Sequence, residues 1–253
     1  MTELRANNLS LRIGNNILID DVSLTLRPGD LTVILGANGS GKTSALRCAL
    51  GLTSADKGTA SLGEDDVRTL SSTQRARRLS YLPQLRPLAW PNTVEDVVAL
   101  GRYSYGAAPG RLQGADANAV ASALLACDLE NFAQRRCDTL SGGELARVHC
   151  ARAFAAEAPL LIADEPLAAL DPRHQFRIMD LISGFVARGG GALVVVHDIS
   201  LAARYATRLL WMKDGRILAD GSTSETLTAE RILEVYGVNA LVDKLSVTME
   251  GAA

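Results

Sequence analysis

Long hydrophobic runs are missing from this chain of 253 residues, and neither sign of charge dominates. The longest apolar stretches, such as 192–196, are far too short to span a bilayer, so we expect no membrane-spanning segment. The formal net charge is −2, which argues against bulk electrostatic binding to nucleic acid. Residues 1–5 lack the basic start and apolar core of a signal peptide. We therefore expect a cytoplasmic protein with no nucleic-acid partner.

Cysteine is scarce, and the cysteines that are present show no metal-ligand spacing. They are Cys48, Cys127, Cys137 and Cys150. Because cytosolic thiols are kept reduced, we expect free thiols packed inside the protein. Internal repeats, low-complexity tracts and sustained heptads are missing as well, which argues against tandem domains and a long coiled-coil insertion.

The composition is that of an ordinary globular protein, with 47% hydrophobic and 21% charged residues. A chain of this length can form one large α/β domain or one domain with an inserted subdomain. Loose apolar–polar alternation over 4–26 predicts strands with one solvated face. From about 85 to 157 the sequence becomes alanine-rich with glycine breaks, which indicates an inserted helical subdomain. Asp214-Gly215 between two short apolar runs predicts a tight hairpin.

A glycine-rich loop follows a short β-branched strand, 31–35, and runs into a predicted helix. It reads Gly-Ala-Asn-Gly-Ser-Gly-Lys-Thr over 36–43, a full match to the phosphate-cradling pattern. Glycines let successive backbone N–H groups point at phosphate oxygens, and the helix N-terminus adds positive potential. The pattern places Lys42 on the β- and γ-phosphates and the Thr43 hydroxyl on Mg²⁺. The predicted nucleotide-binding residues here are Asn38, Gly39, Ser40, Gly41, Lys42, Thr43 and Ser44.

A second apolar strand, 160–163, is followed by two acidic residues, Asp164 and Glu165. The carboxyl ends of strands are where α/β sheets bind ligands. We expect Asp164 to hold Mg²⁺ through water, and Glu165 to act as general base or to polarise the attacking water. An Asp-Glu pair after an apolar run is weak evidence alone, but it becomes strong beside the phosphate loop.

The run Leu-Ser-Gly-Gly-Glu at 140–144 is expected to have a function only if a second surface contacts the bound nucleotide. With the two motifs above, it resembles the nucleotide-binding subunit of ATP-binding-cassette (ABC) transporters, over nearly the whole chain. The resemblance implies that Ser141, Gly142 and Gly143 close on the γ-phosphate of a partner subunit's ATP. It therefore implies an ATPase that works as a nucleotide-sandwich homodimer with ATP and Mg²⁺.

Other residues fit the same family pattern in order along the chain. Gln84 ends the strand before the helical insertion and is expected to contact the metal. His197 ends a strand over 193–196 and is expected at the γ-phosphate, beside Glu165. The loop 168–171 is expected to cross the dimer interface at Asp171. Three positions depart from the pattern without touching the phosphate chemistry; they are Leu145, Ala146 and Leu167.

The resemblance also implies the fold. It is α/β, a phosphate-loop NTPase (RecA-like) core with an antiparallel β subdomain and an inserted α-helical subdomain. We expect one nucleotide-binding domain over 1–253. Its core would comprise 1–84 and 158–253, and the helical subdomain about 85–157.

The segment 81–102 resembles importer ATPases for iron–siderophore complexes, haem or cobalamin. This implies a membrane permease as partner, an extracytoplasmic solute-binding protein as an indirect partner, and a peripheral location on the cytoplasmic face of the inner membrane. Trp90 is predicted to contact the permease or else to cover a loop. Cargo is bound by other subunits, so this chain does not identify it. An exporter subunit and a non-transport ABC ATPase remain alternatives.

In the family an aromatic residue near the N-terminus stacks on adenine, and the matching position here is Ile13. Isoleucine has no π-face, so we expect modest ATP affinity and weak discrimination against GTP. Alternatively, another aromatic residue meets the base, or Ile13 packs in the core and the base is left exposed. His149 and His174 are predicted as ordinary polar residues on helix faces.

Overall fold

The structure is a computed structural model and describes residues 2–84, 92–107, 110–243 and 246–252. The strands are β1 (Leu4–Ile13), β2 (Asn16–Leu26), β3 (Leu31–Leu35), β4 (Lys57–Leu62), β5 (Asp65–Asp66), β6 (Leu79–Leu82), β7 (Leu160–Asp164), β8 (Gly191–Val195), β9 (Arg208–Lys213), β10 (Arg216–Ser222), β11 (Val238–Asp243) and β12 (Ser246–Ala252). The α-helices are α1 (Lys42–Ala49), α2 (Ser72–Ala76), α3 (Val94–Ala99), α4 (Gly114–Ala126), α5 (Gly142–Ala155), α6 (Pro172–Ala187), α7 (Ile199–Tyr205), α8 (Thr223–Thr226) and α9 (Ala229–Tyr236). Trp90, the predicted permease contact, lies outside the described residues.

Two compact units make up the chain. The first combines Met1–Thr69 with Gly191–Ala253, and the second is Leu70–Gly190. The helical subdomain expected at about 85–157 falls inside the second unit, and its boundaries stay a prediction.

The first unit contains an antiparallel sheet with the strand order β2-β1-β4-β5. Along β1, Leu4 and Ala6 are buried while Arg5 and Asn7 are exposed, which confirms the predicted strands with one solvated face. The alternation shifts where the β1–β2 register is irregular, next to Asn8, whose φ is 52°.

The strand that feeds the glycine-rich loop lies in a second sheet of the first unit, in the order β10-β9-β3-β8. β3 runs parallel to both β8 and β9. Every residue of β3 and β8 is buried, as expected of parallel strands. β9 turns into antiparallel β10 at Asp214 and Gly215, whose φ angles are 48° and 77°. The predicted hairpin is therefore confirmed.

The C-terminal residues form an element that the sequence does not predict. After α9 ends at Tyr236, Gly237 takes a left-handed conformation with φ 66°, and β11 then pairs antiparallel with β12. Within β11 only Ala240 is buried, so the apolar alternation is too weak to indicate a strand. The hairpin packs against α9 and α7 of the same unit.

The second unit joins a pair of parallel strands to a group of helices. Leu82 of β6 lies opposite Ala163 of β7, and α5 packs against α3, α4 and α6. A 3₁₀ helix, Leu100–Tyr105, approaches α5 so closely that a Cβ on Gly101 would lie 2.2 Å from the Arg152 carbonyl oxygen. Such close approach is what alanine- and glycine-rich helices permit.

The cysteines agree with the expectation from composition. All four cysteines are buried and form no disulfide, which confirms the prediction of packed thiols. Burial raises the pKa of the Cys127 thiol. Within the described ranges, no helix combines the length and the apolar character needed to cross a bilayer.

Candidate active site

The glycine-rich loop leaves β3 and enters α1 in the first unit. Gly39 and Gly41 have φ angles of 80° and 95°, which favour glycine. At Gly41 a Cβ would also lie 2.5 Å from the Leu18 carbonyl oxygen. The Ser40 carbonyl accepts a hydrogen bond from the Gly215 amide at 3.1 Å, so the β9–β10 turn supports the loop. The sequence gives no sign of this support, because the two residues are far apart along the chain.

Lys42, the first residue of α1, is held inside the loop. Its side chain is only 5% exposed, and its Nζ donates to the carbonyl oxygens of Gly36 at 2.8 Å and Ala37 at 2.9 Å. These carbonyls compensate for the burial of the ammonium group. A phosphate oxygen, being charged, would bind the same group more strongly. Lys42 is therefore poised to exchange carbonyl partners for an anionic ligand.

Gly36, the first residue of the loop, is enclosed by its neighbours. A Cβ there would lie 2.5 Å from the Met212 carbonyl oxygen and 2.6 Å from Ser40 Oγ. Its amide donates a hydrogen bond of 2.9 Å to the Tyr236 hydroxyl. The sequence does not point to Met212 or Tyr236, which reach the loop only through the fold.

The structure brings His197 to the same sheet edge as the loop. In the parallel pair of β3 and β8, Ile34 lies opposite Val195, so the residues that follow the two strands emerge at one edge. His197 is exposed there. The predicted strand end needs a small adjustment, because β8 ends at Val195 although the Val196 amide still donates to the Ile34 carbonyl.

The structure also brings the two acids together with Gln84 in the second unit. Asp164 ends β7 and is 1% exposed, while Glu165 is half-buried and has a left-handed φ of 49°. Gln84, two residues beyond β6, donates from Nε2 to Glu165 Oε2 at 2.7 Å. Because its nitrogen faces Glu165, its amide oxygen is left as the atom suited to a metal ion.

The Ser-Gly-Gly run begins α5 in the second unit. Ser141 is the N-cap residue; its hydroxyl donates to Glu144 Oε2 at 2.8 Å and accepts from the Glu144 amide at 3.3 Å. The backbone N–H and the hydroxyl of Ser141 hold the pKa of Glu144 below its usual range. The N-terminus of a helix of this length attracts anions, and Ser141 and Gly142 are exposed there.

His174 is more than an ordinary helix-face residue. Its ring lies directly over Gly143, where a Cβ would come within 2.0 Å of Cδ2. Its Nδ1 lies 2.9 Å from the carboxylate of Asp171, which caps α6. His174 thus joins Gly143 to the expected interface loop. His149 also lies on a helix, α5, and is buried, 3% exposed.

Ile13 lies at the outer end of β1 and is 62% exposed. It pairs with Asn16 across a turn at Gly14, whose φ is 58°. The alternative that Ile13 packs in the core is therefore wrong. A contact with adenine stays a prediction.

The oxygen ligands expected for Mg²⁺ are of the right chemical type. They are the Thr43 hydroxyl, the Asp164 carboxylate and the Gln84 amide. Within the part of the chain that the structure describes, no three His, Cys, Asp or Glu residues are grouped as a metal cage. Mg²⁺ typically binds one or two carboxylates and completes its shell with water and substrate phosphates. By chemical type, each of these three groups suits that kind of binding.

Comparisons with known proteins agree with these features. The family model described as "ABC transporter" matches residues 19–168. The hemin import ATP-binding protein HmuV of Pseudomonas fluorescens (strain Pf0-1) is 40% identical over 244 residues, covering 94% of each chain. An ATP-binding cassette of an ABC transporter, solved in its ADP conformation, superposes with a TM-score of 0.83 at 24% identity, covering 93% of this chain and 98% of that chain. A dimeric cassette in a post-hydrolysis state with ADP and Pi has a TM-score of 0.74 at 26% identity, covering 87% and 98%.

The solved cassettes confirm the predicted α/β phosphate-loop NTPase fold. The family model spans more than half of the chain, and the identity to HmuV extends along nearly all of both proteins. The chain therefore belongs to the ABC transporter family, as one of its ATPase subunits.

Proposed function

We propose that this chain is the ATP-hydrolysing subunit of an importer for a metal chelate, with haem as the first candidate cargo. The observation that supports ATP binding most directly is the buried Lys42 ammonium, held by the carbonyls of a loop shaped for phosphate. The similarity to a hemin import protein along 94% of each chain supports the cargo class and a separate membrane permease. Siderophores and cobalamin belong to the same expected cargo class.

The proposed roles are those that the resemblance to the family implies for these side chains. The loop amides from Asn38 to Ser44, together with Lys42, hold the phosphates. Thr43, Asp164 and Gln84 supply oxygen ligands to Mg²⁺, which polarises the γ-phosphate. Glu165 accepts the proton of the attacking water. His197 contacts the γ-phosphate.

We propose further that two copies assemble around two ATP molecules. Ser141, Gly142 and Gly143 of one subunit would then face the nucleotide held by Lys42 of the other. A solved ATP-binding cassette bound to ADP and Pi is dimeric, which supports assembly in pairs. The dimer would lie at the cytoplasmic face of the membrane against the permease, which receives cargo from an extracytoplasmic binding protein.

Hydrolysis can be tested with Glu165→Gln, which should still bind MgATP. The neutral amide cannot accept a proton, so single-turnover hydrolysis should be about 10²–10⁴ times slower. Lys42→Ala is the reference variant and should weaken ATP binding itself. If Glu165→Gln hydrolyses ATP within a factor of about 10 of the wild type, Glu165 is not the base.

The shared sites can be tested by mixing Lys42→Ala subunits with Ser141→Arg subunits. Each variant alone has two broken sites, whereas a mixed dimer has one intact site and one doubly broken site. We expect the mixture to recover part of the activity that each variant lacks. No recovery, in a mixture shown by cross-linking to contain mixed dimers, would contradict the shared site.

The cargo is tested by purifying the chain with the membrane subunits that accompany it and reconstituting the complex in liposomes. ATP-driven uptake of haem, a ferric siderophore and cobalamin is then compared, with Glu165→Gln as the inactive control. Uptake of one chelate supports the proposal. ATP-driven movement in the opposite direction would indicate an exporter, and an ATPase that associates with no permease would indicate a non-transport role.

A further inference from the structure

Tyr236 meets the phosphate loop although the two are 200 positions apart in the sequence. Its hydroxyl oxygen accepts a hydrogen bond from the Gly36 amide at 2.9 Å. Gly36 follows β3 and is buried, so this amide has little access to water. A buried amide without an acceptor is costly, and the Tyr236 hydroxyl supplies the acceptor here.

The carbonyl oxygen of the same glycine is bound by Lys42. The Gly36 carbonyl accepts from Lys42 Nζ at 2.8 Å, while a Cβ on Gly36 would come within 2.5 Å of the Met212 carbonyl oxygen. Both backbone polar groups of Gly36 are thus hydrogen-bonded, and there is no room at this position for a side chain. The Tyr236 hydroxyl therefore binds the amide of the residue whose carbonyl binds the Lys42 ammonium.

Tyr236 is itself well placed to act as a fixed acceptor. It is the last residue of α9, and its ring packs edge-on against Trp211 with the centroids 6.5 Å apart. Trp211 is fully buried and lies opposite Leu35, the residue before Gly36. Burial raises the pKa of Tyr236 to about 12, so the phenol stays protonated and neutral at physiological pH.

We propose that Tyr236 is a positioning residue for the nucleotide, which holds Gly36 in place while Lys42 moves from the loop carbonyls to a phosphate. This rests on the proposed function of the loop. Before the exchange, Lys42 itself ties the Gly36 and Ala37 carbonyls together. After it, those two bonds are lost and the Tyr236 hydroxyl remains on Gly36. The nucleotide-bound loop therefore depends on Tyr236 more than the free loop does.

The test is Tyr236→Phe in the full chain, which removes the hydroxyl and keeps the ring on Trp211. Tyr103→Phe is the matched control, because Tyr103 is exposed and lies in the other unit. We expect Tyr236→Phe to raise KM and Kd for ATP about 3- to 10-fold, the size of one lost hydrogen bond, with kcat at saturating ATP within about a factor of 2. The rise in Tm on adding ATP should shrink more than the Tm of the nucleotide-free protein falls.

Two results with Tyr236→Phe overturn the proposal. One is an unchanged ATP affinity. The other is an equal fall in Tm with and without ATP, which means that the hydroxyl stabilises the fold alone. A second measurement needs no substitution: the Gly36 amide of the wild type, followed by NMR, should exchange with solvent far more slowly than a free peptide amide. Exchange at the free-peptide rate also overturns the proposal.

Lys42→Ala separates this proposal from the function on which it rests. If Lys42→Ala loses ATP binding and Tyr236→Phe does not, the positioning role fails and the nucleotide site stands. If Lys42→Ala binds ATP as well as the wild type does, the proposed nucleotide site itself fails.

Discussion

Gln84 donates a hydrogen bond of 2.7 Å from its side-chain amide to the carboxylate of Glu165, joining the ends of two neighbouring parallel strands. The bond gives Gln84 a second role beside the expected metal contact, since it orients the proposed general base. Glutamate has the same size as glutamine, but its ionised carboxylate cannot donate this hydrogen bond, so it cannot replace Gln84.

Gln84→Glu should therefore be more harmful than Gln84→Ala near neutral pH. Two carboxylates at hydrogen-bond distance cannot both stay ionised, so the pair would keep one proton and Glu165 could not accept another. We expect kcat for ATP to fall about 10-fold near neutral pH and to recover as the pH is raised. The pH profile of steady-state hydrolysis measures this.

Gln84→Ala is the control for that experiment, because it removes the hydrogen bond without adding an acid. Its loss of rate should not recover with rising pH. If Gln84→Glu keeps the wild-type profile, the two side chains do not share a proton in solution.

Gly143→Ala should damage the protein through His174. The new Cβ would lie 2.0 Å from the ring, so the ring must move, and overpacking of this kind costs about 1–3 kcal/mol. Gly142→Ala is the matched control, since a Cβ there meets nothing within 4 Å. Denaturant unfolding measures the free energy, and scattering measures ATP-dependent dimers in a Glu165→Gln background.

The double variant Gly143→Ala with His174→Ala decides whether the ring is the cause. Removing the ring should restore the free energy of unfolding that Gly143→Ala loses. If the double variant is destabilised by the sum of the two single changes, the ring and the glycine are independent in solution.

The chemistry-bearing motifs could be predicted from the sequence because each is local. The loop from Gly36 to Thr43 and the strand ending at Asp164 carry their pattern within a few consecutive residues. The contacts that Gly215, His174 and Tyr236 make could not be predicted, because each reaches its partner through a turn or a helix placed by the whole fold. The β11–β12 hairpin was missed for another reason, since it buries too little to impose an alternating pattern.

The start of α5 should lose stability in acid. Hydrogen bonds from Ser141 hold the pKa of Glu144 below its ordinary value, so the ionised carboxylate stabilises the folded chain. This stability is present above the unfolded-state pKa and is lost as the pH falls through the lower folded-state pKa. We expect Glu144→Gln to reduce the free energy of unfolding at about pH 7 and to differ less from the wild type toward about pH 3.

Urea unfolding of the wild type and of Glu144→Gln across that pH range provides the measurement. The two proteins share every other titrating group, so the difference between their free energies of unfolding isolates the contribution of Glu144. A difference that stays constant with pH would show that the Ser141 hydrogen bonds to the carboxylate do not persist in solution.

Ile13→Tyr should strengthen nucleotide binding if this position meets the base. Ile13 is exposed at the end of β1 and can contact a ring without stacking on it. Stacking on an aromatic side chain is worth about 1–3 kcal/mol per base, and an aliphatic contact should already recover part of that. We expect a gain in binding free energy of about 1 kcal/mol, roughly fivefold in affinity, for ATP and for GTP alike, because stacking does not read the base edge.

Calorimetric titration measures the affinity for both nucleotides, and Ile17→Tyr on the adjacent strand controls for a general gain from an exposed ring. Unchanged affinity for both nucleotides would mean that the base lies elsewhere, and an equal gain from Ile17→Tyr would mean that the hairpin offers no defined stacking position.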